Sequence, residues 1–338
     1  MKIGLVCPYS FDVPGGVGTH VQGLADWLRT QDHEVLVVAP GTGPTRPGEI
    51  RLGRSLGLPF NGSTANLAIL PSQAKAAARA LGAVDIVHVH EPLTPGIAFA
   101  AARAASRLVV THHAHYRPGS LGAVLRPRAA MLGRRTALAV SDAAAVTAHA
   151  VTGVVPTVIP NAISLPPRAN KPQGRIPVIL FVGRRDDPRK GYKLFEQVAE
   201  RMGDEARFVA VGPGERRSRH VAEYGPLNQP ALDAWFSLSH IVMAPNTHGE
   251  SFGMVIVEGL AHGCGIVASD LPAFRALAGD DASFEWFSNG SVESAVQALR
   301  RRIARRIEPE AARAVAERFS WDVVGPRIVD QYRCAPIK

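Results

Sequence analysis

Short apolar runs alternate with amphipathic stretches along the whole chain. In the first half, runs of strand length predict buried strands at Lys2–Cys7, Glu34–Ala39, Asp85–His90, Leu108–Thr111 and Leu138–Val140. In the second half, the same pattern predicts strands at Pro177–Val182, Arg207–Val211, Ile241–Ala244 and Gly265–Ala268. Helical spacing lies between them, as at His20–Thr30, Ser72–Leu81, Tyr192–Met202 and Gly253–Ala261. This alternation predicts an α/β fold with parallel sheets that are covered on both faces.

A proline-rich segment divides this pattern into two halves. Leu165–Arg175 reads LPPRANKPQGR, which suits neither a strand nor a helix and is typical of a linker. We therefore expect two Rossmann-like domains, at 1–165 and 176–321, joined by a linker at 166–175. A C-terminal helix at about 322–338 is expected to pack back on the first domain. Ligands of such sheets bind beyond the carboxyl ends of the strands, so the loops there carry the candidate chemistry.

Composition and charge narrow the classes of partner. Hydrophobic residues make up 46% of the chain and the formal net charge is +9, which favours anionic ligands or surfaces. Basic residues are not interleaved with aromatic ones, so we do not expect a nucleic-acid partner. Cys7, Cys264 and Cys334 lie far apart, which argues against disulfides and fits the cytoplasm. No apolar run is long enough to span a bilayer.

A glycine-rich loop, Pro14–Gly18, follows the first predicted strand and precedes a helix. Gly15 and Gly16 would let a ligand approach the backbone closely, and a helix N-terminus offers free N–H groups to an anion. A tight turn without a ligand explains the same residues equally well.

A basic loop, GRRDDPRKG at Gly183–Gly191, follows the first predicted strand of the second half. Arg184 and Lys190 are suited to hold a diphosphate, because arginine binds it through two donors and lysine acts as a point charge. The alternative is a solvated charged loop. Its position at a strand end favours the binding site.

An acidic pair lies within Gly249–Glu258, where Glu250 comes just before a predicted helix and Glu258 lies inside its apolar stretch. Glu250 is also a favourable residue at a helix N-terminus, which is the structural alternative. Glu258 is harder to explain structurally, because burial of a carboxylate is costly without a partner.

Histidines cluster near two predicted strand ends, at His88, His90, His112, His113 and His115. Such a cluster could ligate a metal ion, but no second motif supplies the usual carboxylates or cysteines. We therefore predict no metal, and a histidine that bonds a sugar hydroxyl instead.

These motifs, in this order, resemble the retaining glycosyltransferases of family 4, which have the GT-B fold of two Rossmann-like domains facing across a deep cleft. The segments MKIGLVCPYSFDVPGGVGTHV, PFNGS, HVHEP, GRRDDPRKG and APNTHGESFGMVIVE are most similar to the actinobacterial branch that mannosylates phosphatidylinositol from GDP-mannose. The resemblance covers nearly the whole chain. It implies an acceptor-binding first domain and a second domain that binds the nucleotide sugar.

The resemblance also implies roles for individual residues. His113, Arg184, Lys190 and Glu250 would be catalytic. The implied donor site comprises Gly15, Gly16, Arg184, Lys190, Asn228, Gln229, Glu250, Ser251, Phe252, Gly253 and Glu258. The implied acceptor site comprises Tyr9, Asp12, Gly18 (where the mannosyltransferases carry glutamine) and Asn61. The resemblance implies a front-face attack by the acceptor hydroxyl. It implies neither a metal nor a cofactor.

The expected partners are a nucleotide sugar and a lipid or polyol acceptor. An anionic membrane surface would bind weakly, because Ser72–Leu81 keeps only Lys75 and Arg79 as cations. The expected location is the cytoplasm, with peripheral contact at the inner face of the cell membrane. Two alternatives remain open: a family member with a UDP-linked donor or a soluble acceptor, and a nucleotide-sugar-binding protein without catalysis.

Overall fold

The computed structural model describes residues 1–60, 63–116, 119, 121–168, 171–172, 174, 176–278 and 282–338. The chain forms two compact units. The first combines Met1–Ser164 with Ser320–Lys338, and the second is Leu165–Phe319. The last segment of the chain therefore returns to the first unit.

The first unit is built on a seven-stranded sheet and a separate hairpin. Its strands are β1 (Lys2–Val6), β2 (Glu34–Ala39), β3 (Glu49–Arg51), β4 (Leu56–Phe60), β5 (Ser63–Leu67), β6 (Ile86–His90), β7 (Leu108–His112), β8 (Thr136–Ala139) and β9 (Thr157–Val158). The sheet order is β3-β2-β1-β6-β7-β8-β9, with all neighbours parallel. The hairpin pairs β4 with β5 in antiparallel fashion.

Five helices connect these strands: α1 (Gly16–Thr30), α2 (Pro71–Ala80), α3 (Ile97–Ala104), α4 (Leu121–Ala130) and α5 (Asp142–Thr152). Their limits have local causes. In α5, the Ser141 hydroxyl accepts a hydrogen bond from the Ala144 N–H at 3.1 Å, and Gly153 ends the helix in a left-handed conformation.

The second unit is built on a six-stranded parallel sheet. Its strands are β10 (Val178–Val182), β11 (Arg207–Val211), β12 (Val221–Tyr224), β13 (Ile241–Ala244), β14 (Gly265–Ser269) and β15 (Phe284–Phe287), in the order β12-β11-β10-β13-β14-β15. Its helices are α6 (Tyr192–Met202), α7 (Gln229–Leu238), α8 (Met254–Ala261), α9 (Pro272–Ala278), α10 (Val292–Ala304) and α11 (Pro309–Glu317).

Helix α6 illustrates why these segments pack as they do. Its residues Phe195, Val198, Ala199 and Met202 recur at helical spacing and are all buried in the core of the second unit. Full burial of one such large side chain contributes about 1.5–3 kcal/mol, so the helix is held mainly by this face.

The final helix, α12 (Trp321–Arg333), belongs to the first unit. It packs closely against α1, where a Cβ built on Gly325 would lie 2.5 Å from the ring of Trp27. The Trp27 indole N–H donates to Asp322 at 3.2 Å. Tyr332 joins α12 to the sheet, because its hydroxyl lies 2.8 Å from Nδ1 of His88 in β6.

The predicted α/β class with two parallel sheets is confirmed. Each predicted strand lies within two residues of an observed one. The strands that we did not predict are β3, β4, β5, β9, β12 and β15. Most of them lie in the hairpin or at a sheet edge, where the apolar pattern is weakest.

Each sheet has one point at which the strand order reverses. In the first sheet it lies between β1 and β6, and in the second between β10 and β13. Ligands of open α/β sheets bind outside the carboxyl ends of the strands at this point. Among the described residues, no helix is both long and apolar enough to cross a membrane.

Candidate active site

The loops after β10 and β13 bring three polar side chains together in the second unit. Lys190 Nζ donates to Glu250 Oε2 at 2.9 Å, and Asn246 Nδ2 donates to the same oxygen at 2.6 Å. Asn246 is itself buried, and its backbone oxygen accepts from the Ser269 hydroxyl at 2.6 Å. Lys190 and Glu250, which were predicted separately as site residues, therefore form an ion pair, and Asn246 is a third, buried partner.

The basic loop after β10 is organised around the buried carboxylate of Asp187. Its Oδ2 accepts from Arg184 at 3.2 Å and from Arg189 at 2.7 Å. Its Oδ1 accepts from the Arg189 backbone N–H at 3.1 Å. Despite burial, which acts in the opposite direction, these bonds and the arginine charges lower the pKa of Asp187. The Arg184 side chain stays half exposed, so its guanidinium is available to an anionic ligand.

Close backbone contact joins the two loops. Gly191 adopts φ 71°, and a Cβ at this position would lie only 1.8 Å from the Pro245 carbonyl oxygen. The Thr247 N–H donates to the Arg189 oxygen at 2.8 Å. Glycine is therefore required at 191 for both conformation and space, and it fixes the basic loop beside the acidic one.

In the segment around Glu250 that leads into α8, some residues lie in the loop of the candidate site and one side chain lies in the core. Phe252 is 5% exposed and packs edge-to-face on Phe319, so its side chain belongs to the core of the unit. Gly253 has φ 101° and is the N-cap residue of α8. Gly249, with φ 69°, and Ser251 lie in the same loop.

Glu258 lies in α8, one turn after the helix begins. Burial, together with the charge of Asp233 in α7, raises the pKa of Glu258 to about 7. A carboxyl group with such a pKa binds a proton far more readily than usual, and it is suited to hydrogen bonds with hydroxyl groups.

Two of the predicted donor-site residues, Asn228 and Gln229, lie at the start of α7. Asn228 Oδ1 caps this helix by accepting from the Ala231 N–H at 3.0 Å. Gln229 Nε2 donates to Asp233 Oδ1 at 2.8 Å. Both side chains therefore already take part in bonds within the helix, a structural role that the sequence did not reveal.

In the first unit, two predicted acceptor residues follow β1. Tyr9 packs partly against the core. Asp12 holds a neighbouring loop, since its carboxylate accepts from the Thr42 N–H at 2.8 Å and the Gly43 N–H at 3.0 Å. These bonds lower the pKa of Asp12. Its position near the strand end is as expected, but its carboxylate is engaged within the protein.

The glycine loop before α1 leaves its backbone accessible. Gly15 is the N-cap residue of α1, and a Cβ built on Gly15 or Gly16 would meet nothing within 4 Å. A Cβ on Gly18 would lie in ordinary contact, 3.5 Å from the Phe11 ring. The free N–H groups of α1 thus adjoin open space. The fourth predicted acceptor residue, Asn61, lies outside the described residues.

The histidines form a buried cluster at the ends of β6 and β7. His90 Nδ1 lies 2.8 Å from His113 Nε2, and the ring of His20 from α1 lies 5.4 Å and 5.3 Å from these two rings. Within the described ranges, these three form one group able to hold a metal ion, with ring nitrogens within 4.8 Å of one another. Burial lowers the pKa of all three, most strongly for His90 and His113, which keeps the imidazoles neutral.

Several side chains that touch the predicted residues were not predicted, among them Asp187, Asn246 and Glu91. Asp187 and Asn246 each follow a strand of the second unit, and that position could have identified them. Glu91 directly follows β6, and its Oε1 accepts from the His113 N–H at 2.6 Å. That contact depends on tertiary structure and leaves no pattern in the sequence.

Two doubly wound parallel sheets, one in each unit, are the architecture of the GT-B fold. Solved structures support this class. Anabaena HepE, in complex with UDP and glucose, superposes with a TM-score of 0.76 at 16% identity, over 99% of this chain and all of that one. At this level of identity the likeness concerns the fold alone.

Sequence comparison identifies the family. The profile of Glycosyltransferase Family 4 matches residues 14–165, and that of Glycosyl transferases group 1 matches residues 176–305. The phosphatidyl-myo-inositol mannosyltransferase of Propionibacterium freudenreichii is 36% identical over 99% of this chain and 95% of its own length. That of Mycobacterium leprae is 32% identical over 98% and 96%. The chain therefore belongs to glycosyltransferase family 4 and is a hexosyltransferase.

Proposed function

We propose that this enzyme transfers mannose from GDP-mannose to a phosphatidylinositol-type lipid. The observation that carries the proposal is the identity above 30%, over nearly the full length, with relatives named phosphatidyl-myo-inositol mannosyltransferase. The arrangement of the second unit supports the donor half of the reaction.

The leaving group of such a reaction is a nucleoside diphosphate, so charge develops on its phosphate oxygens. Arg184 and Lys190 are placed to stabilise that charge, which is usually the largest catalytic contribution. Lys190 exchanges part of its bond with Glu250 for the diphosphate. Glu258 holds the ribose hydroxyls, and no metal ion is needed because the two cations neutralise the phosphates.

His113 and Glu250 serve the transferred sugar in this proposal. The bond between the anomeric carbon and the phosphate oxygen breaks, and the acceptor oxygen bonds to the same carbon on the same face. The proton of the acceptor hydroxyl passes to the departing phosphate oxygen. His113, neutral because of its burial, donates or accepts a hydrogen bond at a sugar hydroxyl and transfers no proton.

A second candidate has a different nucleotide donor. Guanine presents two donors on one edge and is suited to a carboxylate. In this proposal the nucleotide base lies at the start of α7. The side chains there, Asn228 and Gln229, are amides and not carboxylates, and both already take part in hydrogen bonds within the helix. A family 4 enzyme with a UDP-linked sugar, acting on a soluble polyol, fits this observation.

Membrane contact is proposed to be weak and peripheral, at the inner face of the cell membrane. Helix α2 exposes Lys75 and Arg79 while Gln73 and Ala77 face the protein. At about 1 kcal/mol for each cation near an anionic surface, these two residues give only modest attraction.

A donor and acceptor screen tests the proposal. The purified chain is incubated with GDP-mannose, GDP-glucose, UDP-glucose or UDP-galactose, and with phosphatidylinositol in vesicles or with free inositol 3-phosphate. Products are identified by mass. We expect a mannosylated lipid from GDP-mannose alone, at a rate that EDTA does not change.

Each other outcome has a defined meaning. Transfer only from a UDP-linked sugar, or only to inositol 3-phosphate, would replace the proposal with the second candidate. Tight binding of a nucleotide sugar without any product, over the full acceptor panel, would indicate a binding protein. Loss of activity in EDTA that Mg²⁺ or Zn²⁺ restores would refute the metal-independent mechanism.

A further inference from the structure

Glu91 has an unusual backbone position at the point where the first sheet reverses its strand order. It directly follows β6 and adopts φ 49°, in the left-handed region that side chains other than glycine seldom enter. Hydrogen bonds of its backbone hold it there, including one from the Thr94 hydroxyl to its oxygen. Its N–H donates to the Thr111 oxygen at 2.8 Å, and its own oxygen accepts from the Thr94 N–H at 3.1 Å. Such conformations persist where the surrounding structure requires them, and they concentrate at functional sites.

The Glu91 side chain reaches across to the end of β7. One carboxylate oxygen, Oε1, accepts from two consecutive backbone N–H groups, those of His113 at 2.6 Å and Ala114 at 2.8 Å. The ring of His113 is held by the residue next to Glu91, since His90 Nδ1 lies 2.8 Å from His113 Nε2. Backbone and ring of His113 are thus both fixed by the end of β6.

The charge of Glu91 is compensated locally by those N–H groups. Burial raises the pKa of Glu91, while the His113 and Ala114 N–H groups act in the opposite direction. The Glu91 charge also acts on two phenols: burial, together with that charge, raises the pKa of Tyr9 well above its ordinary value and that of Tyr116 to about 12. A buried carboxylate is costly, so its bonds to this one loop are a specific feature of the structure.

We propose that Glu91 is a positioning residue for the transfer reaction: it fixes the loop after β7 so that the His113 ring meets the transferred sugar. The inference rests on the proposed role of His113 at that sugar. Glu91 touches no substrate in this account. It acts only through the backbone that carries His113.

Two substitutions separate geometry from charge. Glu91→Gln keeps the volume and one oxygen that accepts both N–H bonds, so it should retain most of the activity. Glu91→Ala removes the oxygen and enlarges an adjoining cavity of about 20 Å³, lined also by His112, Tyr116 and Thr147. We expect kcat of the alanine variant to fall roughly 10- to 100-fold, the scale of a misplaced contact.

The readout that distinguishes positioning from general stability is the sugar-dependent part of donor binding. We would measure Kd for GDP-mannose and for GDP with the full chain. In Glu91→Ala the ratio of these constants should shift as it does in His113→Ala, while Kd for GDP is unchanged. A matched control is Asp85→Ala. Asp85 also accepts a hydrogen bond from a backbone N–H, that of Lys2 at 2.7 Å, but it lies at the amino ends of the strands, away from the loop after β7. The control should leave the ratio unchanged.

A double-mutant cycle completes the test. If Glu91 acts through His113, Glu91→Ala has no further effect on the ratio in a His113→Ala background. Additive effects of the two substitutions would overturn the inference while leaving the role of His113 intact. A His113→Ala variant with an unchanged ratio would refute that role, and with it the reason for positioning the loop.

Discussion

At the scale of single residues, the acidic side of the proposed donor site depends on how one carboxylate is held. Glu250 Oε2 accepts from both Lys190 and Asn246, at 2.9 Å and 2.6 Å. Two donors on one oxygen restrict its rotation, so the remaining oxygen keeps a defined direction. Preorganisation of this kind is what an enzyme needs where charge changes during reaction.

Glu250→Gln tests the importance of that charge. Glutamine keeps the shape and can still accept from Asn246, so the fold should be intact. If Glu250 faces the transferred sugar as proposed, the loss of its negative charge should lower kcat roughly 10²- to 10³-fold. GDP binding should not weaken, because Lys190 loses only a competing partner. Turnover and Kd for GDP are measured on the same preparation.

The control for this substitution is Glu293→Gln, since Glu293 is an exposed carboxylate of the same unit that also pairs with a cation. It should leave kcat unchanged. Turnover of Glu250→Gln equal to that of the unsubstituted enzyme would show that Glu250 has no part in the reaction.

A site residue can be predicted from the sequence when the local pattern places it, but not when its role depends on contacts with a distant loop. Arg184 and Lys190 follow a buried strand in sequence and Glu250 precedes a helix, so the α/β pattern alone placed all three in loops. Glu91 follows a strand too, but its importance comes from bonds to His113 and Ala114 in another loop. Contacts between loops that are distant in sequence have no periodic signal, so they were not predicted.

At the scale of elements, α12 shows how small residues allow two helices to pack closely. Gly325 of α12 faces the Trp27 ring, and Gly23 of α1 faces the Trp321 indole, where a Cβ would lie 2.7 Å from Nε1. Each glycine thus makes room for a tryptophan on the opposite helix. These reciprocal contacts bring α1 and α12 together.

Gly325→Ala should therefore destabilise the protein. In an isolated helix the change would be favourable by about 1 kcal/mol, because alanine is the better helix former. Here the new methyl group would lie 2.5 Å from the Trp27 ring, and such overpacking costs about 1–3 kcal/mol. Urea unfolding, followed by tryptophan fluorescence, measures the net change.

Gly82→Ala is the matched control, because a Cβ at Gly82 would meet nothing within 4 Å. It should change the free energy of unfolding by little. If Gly325→Ala stabilises the protein as much as helix propensity predicts, the close approach of α1 and α12 is wrong.

The elements themselves differ in how well the sequence predicts them. Buried strands such as β1 and β10 stand out because both faces are covered and apolar residues run together. The short β9 and the partly exposed β12 lack that signal. The hairpin of β4 and β5 contains glycine, proline and asparagine, which resemble a loop rather than strands.

At the scale of the whole molecule, the buried histidines link stability to pH. Burial lowers the pKa of five of them in the first unit: to about 4 for His20 and His112, to about 3 for His88, and well below the ordinary value for His90 and His113. In the unfolded chain, each imidazole regains its ordinary pKa near 6.5. Between these values the unfolded state binds protons that the folded state does not.

The direction of the effect follows from that difference. The stability contributed by a histidine with a lowered folded pKa is fully present above about pH 6.5 and falls as pH decreases towards the folded value. Glu258 acts in the opposite direction, because its raised folded pKa favours the folded state as pH falls from about 7. Five imidazoles are opposed by only two carboxyl groups, Glu258 and Glu91. The histidines therefore determine the sign of the pH dependence of the free energy of unfolding.

We therefore expect the free energy of unfolding to be steady above pH 7 and to fall between pH 6.5 and 5, by up to about 1.4 kcal/mol per pH unit for each imidazole. Urea titrations at several pH values measure the slope. His112→Asn should make it shallower, because asparagine does not titrate, whereas the exposed His149 provides a control in His149→Asn with no such effect. A slope near zero from pH 7 to 5 would mean that these imidazoles are solvated, which would contradict the buried histidine cluster of the first unit.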